Sequence, residues 1–329
     1  MSPDTLLLWR LLEAGDRHVS GEELAAELGM SRVGVWQRLR RLRAAGLQFA
    51  AVRNRGHRLV GEPEHLHGAL LAAHCQRAGV DRPVHYLAVC DSSNSEATRR
   101  LADGEATPFV VCTAAQTAGR GRRGRIWHSP DEGNLYASFA FRPDLPPARL
   151  QAVTLWFGLR ICAWLNEVYG LPVRLKWPND LLLEGRKVCG MLTEARVDAD
   201  AVRELVFGIG LNVNSRPEAW PAEQVGAAGS LSRTRGAALP LHALAAQLVA
   251  TVLAAWQAWR EGGQEATLLA AWPRYDALAG LQVQAEYSGQ PLTGTALGIA
   301  ADGSLRLRTA AGKVQHLHAG EVSVRPPQA

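Results

Sequence analysis

The chain has 329 residues, 47% apolar and 20% charged, with a formal net charge of +5; this is an ordinary globular composition with room for two or three domains. No apolar run approaches the roughly 18–20 residues of a membrane span, and the start, Met1 to Asp4, lacks the basic and apolar regions of a secretory signal. Five widely spaced cysteines with no C-x-x-C speak against a zinc site or a disulfide framework, so a cytoplasmic protein outside the membrane, with reduced thiols, is expected.

Thr5 to Ala14 reads as a helix, with Leu7, Leu8, Leu11 and Leu12 at helical spacing. Ser20 is placed to cap a short helix over 22–28, and Ser31 a third over 32–45. In that third helix Val35, Leu39 and Leu42 share an inward face, with Gln37, Arg40 and Arg41 opposite. Two short strands, 49–52 and 57–60, follow around the turn Arg53-Asn54-Arg55-Gly56. Eight arginines and no acid lie between Leu28 and Gly61. The order of elements and the charge read as a winged helix over 1–62. DNA contacts are expected from Ser31, Arg32, Gln37, Arg40, Arg41, Arg53 and Arg55. A vestigial or protein-binding winged helix has the same outline, and Trp36 suits packing as well as readout.

Residues 63–277 alternate helices (66–78, 150–169, 241–260) with strands (84–89, 109–113, 135–141, 173–176, 187–195, 202–214). Residues 278–329 change to short strands (283–287, 292–299, 305–309, 314–318) with turns at Ser288-Gly289, 301–303 and 311–312, the pattern of a small barrel.

Three clusters carry chemistry. Gly119-Arg-Gly-Arg-Arg-Gly-Arg125, followed by Trp127, places four guanidinium groups on a glycine-rich loop with no acid between them. It suits a polyanion, although RNA-binding tracts share the composition. Lys176-Trp-Pro-Asn-Asp180, then Lys187 and Gly190, collects charge at a strand end. Asp180 there suits either magnesium or an amine proton, and a surface turn with a salt bridge would read the same way. Asp91-Ser-Ser-Asn94 offers hydroxyls and an amide to a neutral polar ring, as a helix cap also would.

Taken in order, Asp91-Ser-Ser-Asn94, Gln116 through Trp127, Lys176–Asp180, Arg186-Lys187-x-x-Gly190 and Gly208-x-Gly-x-Asn-x-Asn214 resemble biotin protein ligase. With the winged helix in front, the resemblance is to the bifunctional ligase and biotin-operon repressor type, over nearly the whole chain. It implies an α+β multidomain fold: a winged helix-turn-helix, a central mixed sheet with helices, and a C-terminal SH3-like barrel. It also implies biotin and Mg2+-ATP as ligands, biotinyl-5′-AMP as intermediate, and transfer to a carboxylase carrier domain. By resemblance, Lys187, Arg122 and Asp180 are catalytic, with Asp180 also the Mg2+ candidate. Ser92, Ser93, Asn94, Gln116, Arg120, Gly121, Arg122, Lys187 and Gly190 bind biotin. Gly119, Arg120, Arg122, Arg123, Arg125, Trp127, Lys176, Asn179 and Asn212 bind the adenylate, whose ordering of the arginine loop favours a homodimer on operator DNA. Residues 215–235 match no pattern of the family, which leaves the adenine contacts open. Two other readings stand beside this one: a lipoate-type ligase, and a biotin-sensing DNA-binding regulator without catalysis.

Overall fold

The computed structural model describes residues 1–198, 200–216, 218, 220–287, 290–318 and 322–324. Three capped helices open the chain. Ser2 Oγ accepts from the Thr5 N–H at the start of α1 (Pro3–Ala14), Ser20 caps α2 (Gly21–Glu27), and Ser31 caps α3 (Arg32–Ala44). These bonds satisfy N–H groups that a helix start leaves open. Leu7, Leu8, Leu24, Val35, Leu39 and Leu42 close a small core beneath an antiparallel hairpin, β1 (Gln48–Val52) and β2 (Gly56–Gly61). Gly56, at φ 106°, is forced to be glycine: a Cβ there would meet the Val19 carbonyl at 2.0 Å. The next helix, α4 (Gly68–Arg77), begins two residues later than its apolar pattern implies, and its Leu70 and Ala73 complete this N-terminal core.

The centre is a seven-stranded mixed sheet, ordered β3-β4-β5-β9-β8-β7-β6. Its strands are β3 (Val84–Cys90), β4 (Phe109–Gln116), β5 (Leu135–Phe141), β6 (Arg174–Lys176), β7 (Asp180–Leu183), β8 (Arg186–Asp198) and β9 (Ala201–Leu211). Only β3 and β4 pair in parallel, and the crossover between them is α5 (Ser93–Ala102). This helix starts inside the stretch read from sequence as a polar strand end.

Strand alternation gives the sheet two different faces. Phe139, Phe141, Leu205, Phe207, Ile209 and Met191 join the main core with α6 (Leu150–Tyr169) and α8 (Leu241–Glu261). On the other face Val111, Ala140 and Val206 pack with Ala97 and Leu101 of α5. Among the described residues α8 alone is long and apolar enough to cross a bilayer, although polar residues interrupt its apolar sequence. It is a core helix here, with Leu244, Leu248, Val249, Val252 and Trp256 buried.

Between α8 and the last sheet lies α9 (Gln264–Tyr275), which the sequence reading lacked because Pro273 sits inside it. A short helix, α7 (Leu231–Arg235), precedes α8. The C-terminal sheet is antiparallel and SH3-like, ordered β13-β12-β11-β10-β14. Its strands are β10 (Gln282–Tyr287), β11 (Gln290–Ile299), β12 (Leu305–Arg308), β13 (Val314–Leu317) and β14 (Val322–Val324). Its Val283, Ala296, Leu305 and Leu307 belong to the same continuous core as the central sheet. The expected turn at Ser288-Gly289 lies outside the described residues.

Candidate active site

The α5 face of the sheet is stripped of side chains where it must admit other groups. Gly190 and Gly210 face each other across β8 and β9, and Trp127 lies on them. A Cβ on Gly210 would come within 2.3 Å of Trp127 Nε1, and one on Gly190 within 2.8 Å of the ring. Two residues along β9, a Cβ on Gly208 would stand 2.1 Å from Asn94 Oδ1. The glycines are thus a shelf cut for an indole and an amide.

Trp127 is delivered by a tight hairpin. Arg120 and Ile126 form a bridge, the Gly121 N–H donates to the Arg125 carbonyl at 2.7 Å, and the Trp127 N–H to the Gly119 carbonyl at 2.9 Å. Residues 122–124 make a single 3-10 turn at its tip. The arginine-glycine stretch is therefore an ordered lip of the sheet, and the RNA-tract alternative does not describe it.

Lys187 reaches this face through an irregularity. The register between β7 and β8 slips at Leu181/Leu182, so Cys189 opposes Leu181 while Lys187 opposes Leu182. The extra residue, Val188, turns Lys187 away from the buried side that Cys189 occupies. Lys187 Nζ then lies 2.7 Å from Asp180 Oδ1 and 5.2 Å from the centre of the Trp127 ring.

Opposite, a chain of neutral polar groups forms the wall. The Ser93 N–H and hydroxyl donate to Gln116 Oε1, at 2.8 and 3.1 Å, and Gln116 Nε2 donates to Ser129 Oγ at 2.8 Å. Ser138 Oγ, fully buried, lies 2.7 Å from Ser93 Oγ and 2.6 Å from Asn94 Oδ1. Arg99 holds the Asp91 carboxyl well below the usual carboxylate range through paired hydrogen bonds, reinforced by the Ser92 N–H.

These walls enclose a cavity of about 340 Å3. The fold gathers into it Ser92, Ser93, Asn94, Gln116, Arg120, Gly121, Arg122, Arg125, Trp127, Lys176, Asn179, Asp180, Lys187 and Gly190. Five of these are cationic side chains against one carboxylate, Asp180. Asn179 is locked by its own amide, which donates to the Met191 carbonyl at 2.6 Å, and it accepts from Arg122 Nη1 at 3.3 Å.

Three expected residues stand elsewhere. Gly119 supports the hairpin through its backbone, Arg123 is exposed on the tip at φ 56°, and Asn212 is turned inward. Asn212 Nδ2 donates to the Gly229 carbonyl at 3.0 Å, and residues 227–229 hydrogen-bond along the Lys187 backbone, so Asn212 anchors a strap rather than lining the cavity. Asp180, the Mg2+ candidate, lines the cavity with its carboxylate 2.7 Å from Lys187 Nζ, and among the described residues no group of three His, Cys, Asp or Glu stands together as a metal cluster. The sequence reading missed Ser138, Ser129 and Glu194, single polar residues in strands or loops with no motif around them.

The winged helix presents Arg32, Gln37, Arg40, Arg53 and Arg55 to solvent. Ser31 spends its hydroxyl as the α3 cap. Arg41 is only partly available, since its Nη2 lies 3.3 Å from Asp4 Oδ2. Trp36 is 51% exposed, with the Arg40 guanidinium 5.1 Å from its ring centre, which removes the packing alternative for that residue.

Comparisons with known proteins cover all three parts. Residues 88–212 match the biotin/lipoate A/B protein ligase family, residues 5–58 an HTH domain, and residues 280–325 the biotin protein ligase C terminal domain. The bifunctional ligase/repressor BirA of Bacillus subtilis is 30% identical over 95% of both chains, and that of Escherichia coli 32% identical over 97% of both. The biotin protein ligase of Aquifex aeolicus in complex with biotin and ATP superposes with a TM-score of 0.60 at 27% identity, covering 74% of this chain and 98% of that one.

Proposed function

The chain belongs to the biotin protein ligases of the bifunctional ligase and repressor type, and we propose that it activates biotin in the glycine-shelf cavity and passes it to a lysine of a carboxylase carrier domain. The observation that carries this reading is the asymmetry of the cavity. One wall is neutral and hydrogen-bonding, suited to a ureido ring, and the other gathers five cations, suited to a carboxylate meeting a triphosphate.

In the first step a biotin carboxylate oxygen bonds to the α-phosphorus of ATP while the bond to the pyrophosphate oxygen breaks. Two anions must approach, so the protein's task is electrostatic. Arg120 and Arg122 hold the carboxylate and phosphate oxygens, and Lys187 offsets charge building on the α-phosphate. Lys176, Asn179, Arg125 and Trp127 bound the nucleotide side, and the hairpin shields the mixed anhydride from water. In the second step the carrier amine attacks the acyl carbon, AMP leaves, and Asp180 stands ready to take the amine proton. Magnesium would come with the ATP phosphates, and Asp180 is the cavity carboxylate that would meet it. The reaction belongs in the cytoplasm, a compartment suited to five unpaired cysteines.

The winged helix makes the same chain a biotin-responsive repressor, with α3 in the major groove and the Arg53–Arg55 turn on phosphates. A homodimer formed on adenylate binding would present two such units to a palindromic operator. Labelled biotin, ATP and a purified carrier domain test the catalytic reading: label should appear on the carrier lysine, and absence of transfer contradicts it.

A further inference from the structure

Glu194 lies mid-strand in β8, beyond the motifs and outside the lining of the cavity. Its Oε2 nevertheless accepts from Asn94 Nδ2 at 2.7 Å and from Arg120 Nη2 at 2.8 Å. We propose that Glu194 is a positioning residue for biotin, setting the donor–acceptor polarity of the wall formed by Asn94, Ser138, Ser93 and Gln116 and tethering the base of the arginine hairpin. The proposal rests on the biotin-ligase reading of the site.

Hydrogen-bond polarity sets the arrangement of this wall. An ionised carboxylate can only accept, so Asn94 must turn its NH2 toward Glu194 and its Oδ1 toward Ser138. Gly208 leaves no space for anything bulkier beside that oxygen. The Ser138 proton is then shared between Asn94 Oδ1 at 2.6 Å and Ser93 Oγ at 2.7 Å, and the Ser93 proton is directed to Gln116. Each hydroxyl on the wall thereby has a fixed lone pair to offer. Remove the charge at Glu194, and the Asn94 amide can flip and reverse the chain. The same substitution releases Arg120, because its ion pair with Glu194 ties the hairpin to the sheet.

The test is a comparison of Glu194→Gln and Glu194→Ala with the wild-type chain in biotin-dependent pyrophosphate release. Glu194→Gln should raise KM for biotin about 10-fold and Glu194→Ala more, up to about 100-fold. KM for ATP should rise less than KM for biotin, because Lys187, Arg122 and Asn179 still hold the phosphates when Arg120 is freed. Unchanged biotin KM in both variants overturns the proposal. So does a fall in maximal rate alone, with both KM values unchanged, which would mark loss of folded protein. Failure of the wild-type chain to release pyrophosphate with biotin would instead overturn the ligase reading.

Discussion

Gly210 is glycine because an indole occupies the space of its side chain. With only 2.3 Å between a Cβ there and Trp127 Nε1, Gly210→Ala must push the ring off the sheet and spoil the Lys187 contact. Adenylate formation should fall by about two orders of magnitude in single turnover, while the melting temperature moves by only a few degrees. Lys187→Ala should slow the same step about 10²–10³-fold. Lys187→Arg should not restore it, since a planar fork cannot occupy the point position between Asp180 and the Trp127 ring. Rapid-quench measurement of biotinyl-adenylate checks all three substitutions. The glycines, arginines and Lys187 were legible in the sequence because their spacing is local and unusual. Glu194 and Ser138 were not: each is one polar residue in a strand, and its meaning comes from partners 44 to 100 positions away.

At the level of elements, two joints position the site. Trp177, fully buried, donates from Nε1 to the Gly303 carbonyl at 2.9 Å, which ties the strand end before Asn179 and Asp180 to the β11–β12 turn of the C-terminal sheet. Trp177→Ala should destabilise the chain by ~3–5 kcal/mol in denaturant unfolding. The second joint seats the winged helix. His242 Nδ1 on α8 lies 2.9 Å from Glu62 Oε2, His74 Nε2 lies 2.8 Å from Glu62 Oε1, and the His67 N–H donates to His242 Nε2 at 3.0 Å. That last bond requires a bare Nε2, so His242 is neutral with its proton on Nδ1. Burial pushes Glu62 up, but the hydrogen bonds from His242 and His74 outweigh it and hold the carboxyl at about 2. Burial pushes His242 below 6.5, against the opposing pull of Glu62.

Both shifts act in the same direction. The Glu62 contribution, on the order of 3 kcal/mol, is fully present above pH 4.5 and is lost as pH falls through about 2. The His242 contribution is present above pH 6.5 and is lost as pH falls through its lower folded value. Thermal melts from pH 8 to pH 2 should therefore show falling stability. Glu62→Gln should melt lower at pH 7 and flatten the curve below pH 4.5; an unchanged curve would dismiss this joint. The sequence showed these histidines only as scattered residues, because the cluster spans 180 positions.

Over the whole molecule, the order of winged helix, alternating helices and strands, and a small all-strand unit was readable from periodicity and turn residues, while the mixed sheet was implied by the family resemblance. The continuity of the core through the last two units was not readable, since apolar strand faces do not name their partners. α9 was hidden by Pro273, and β7 by its four-residue length. The exposed arginines of α3 and the wing lead to a prediction at this scale. On DNA upstream of the chain's own gene, gel shifts should tighten when biotin and ATP are both present. Arg40→Ala or Arg55→Ala should weaken binding and reduce its salt dependence by about one unit.

We propose that the cavity makes a biotinyl adenylate without help from any other protein. Rapid mixing of the purified chain with biotin and Mg2+-ATP, with no carrier present, tests it most directly. A burst of pyrophosphate approaching one equivalent per chain, dependent on biotin and nearly abolished in Lys187→Ala, is the predicted result. No burst, or a burst that proceeds without biotin, would contradict the account.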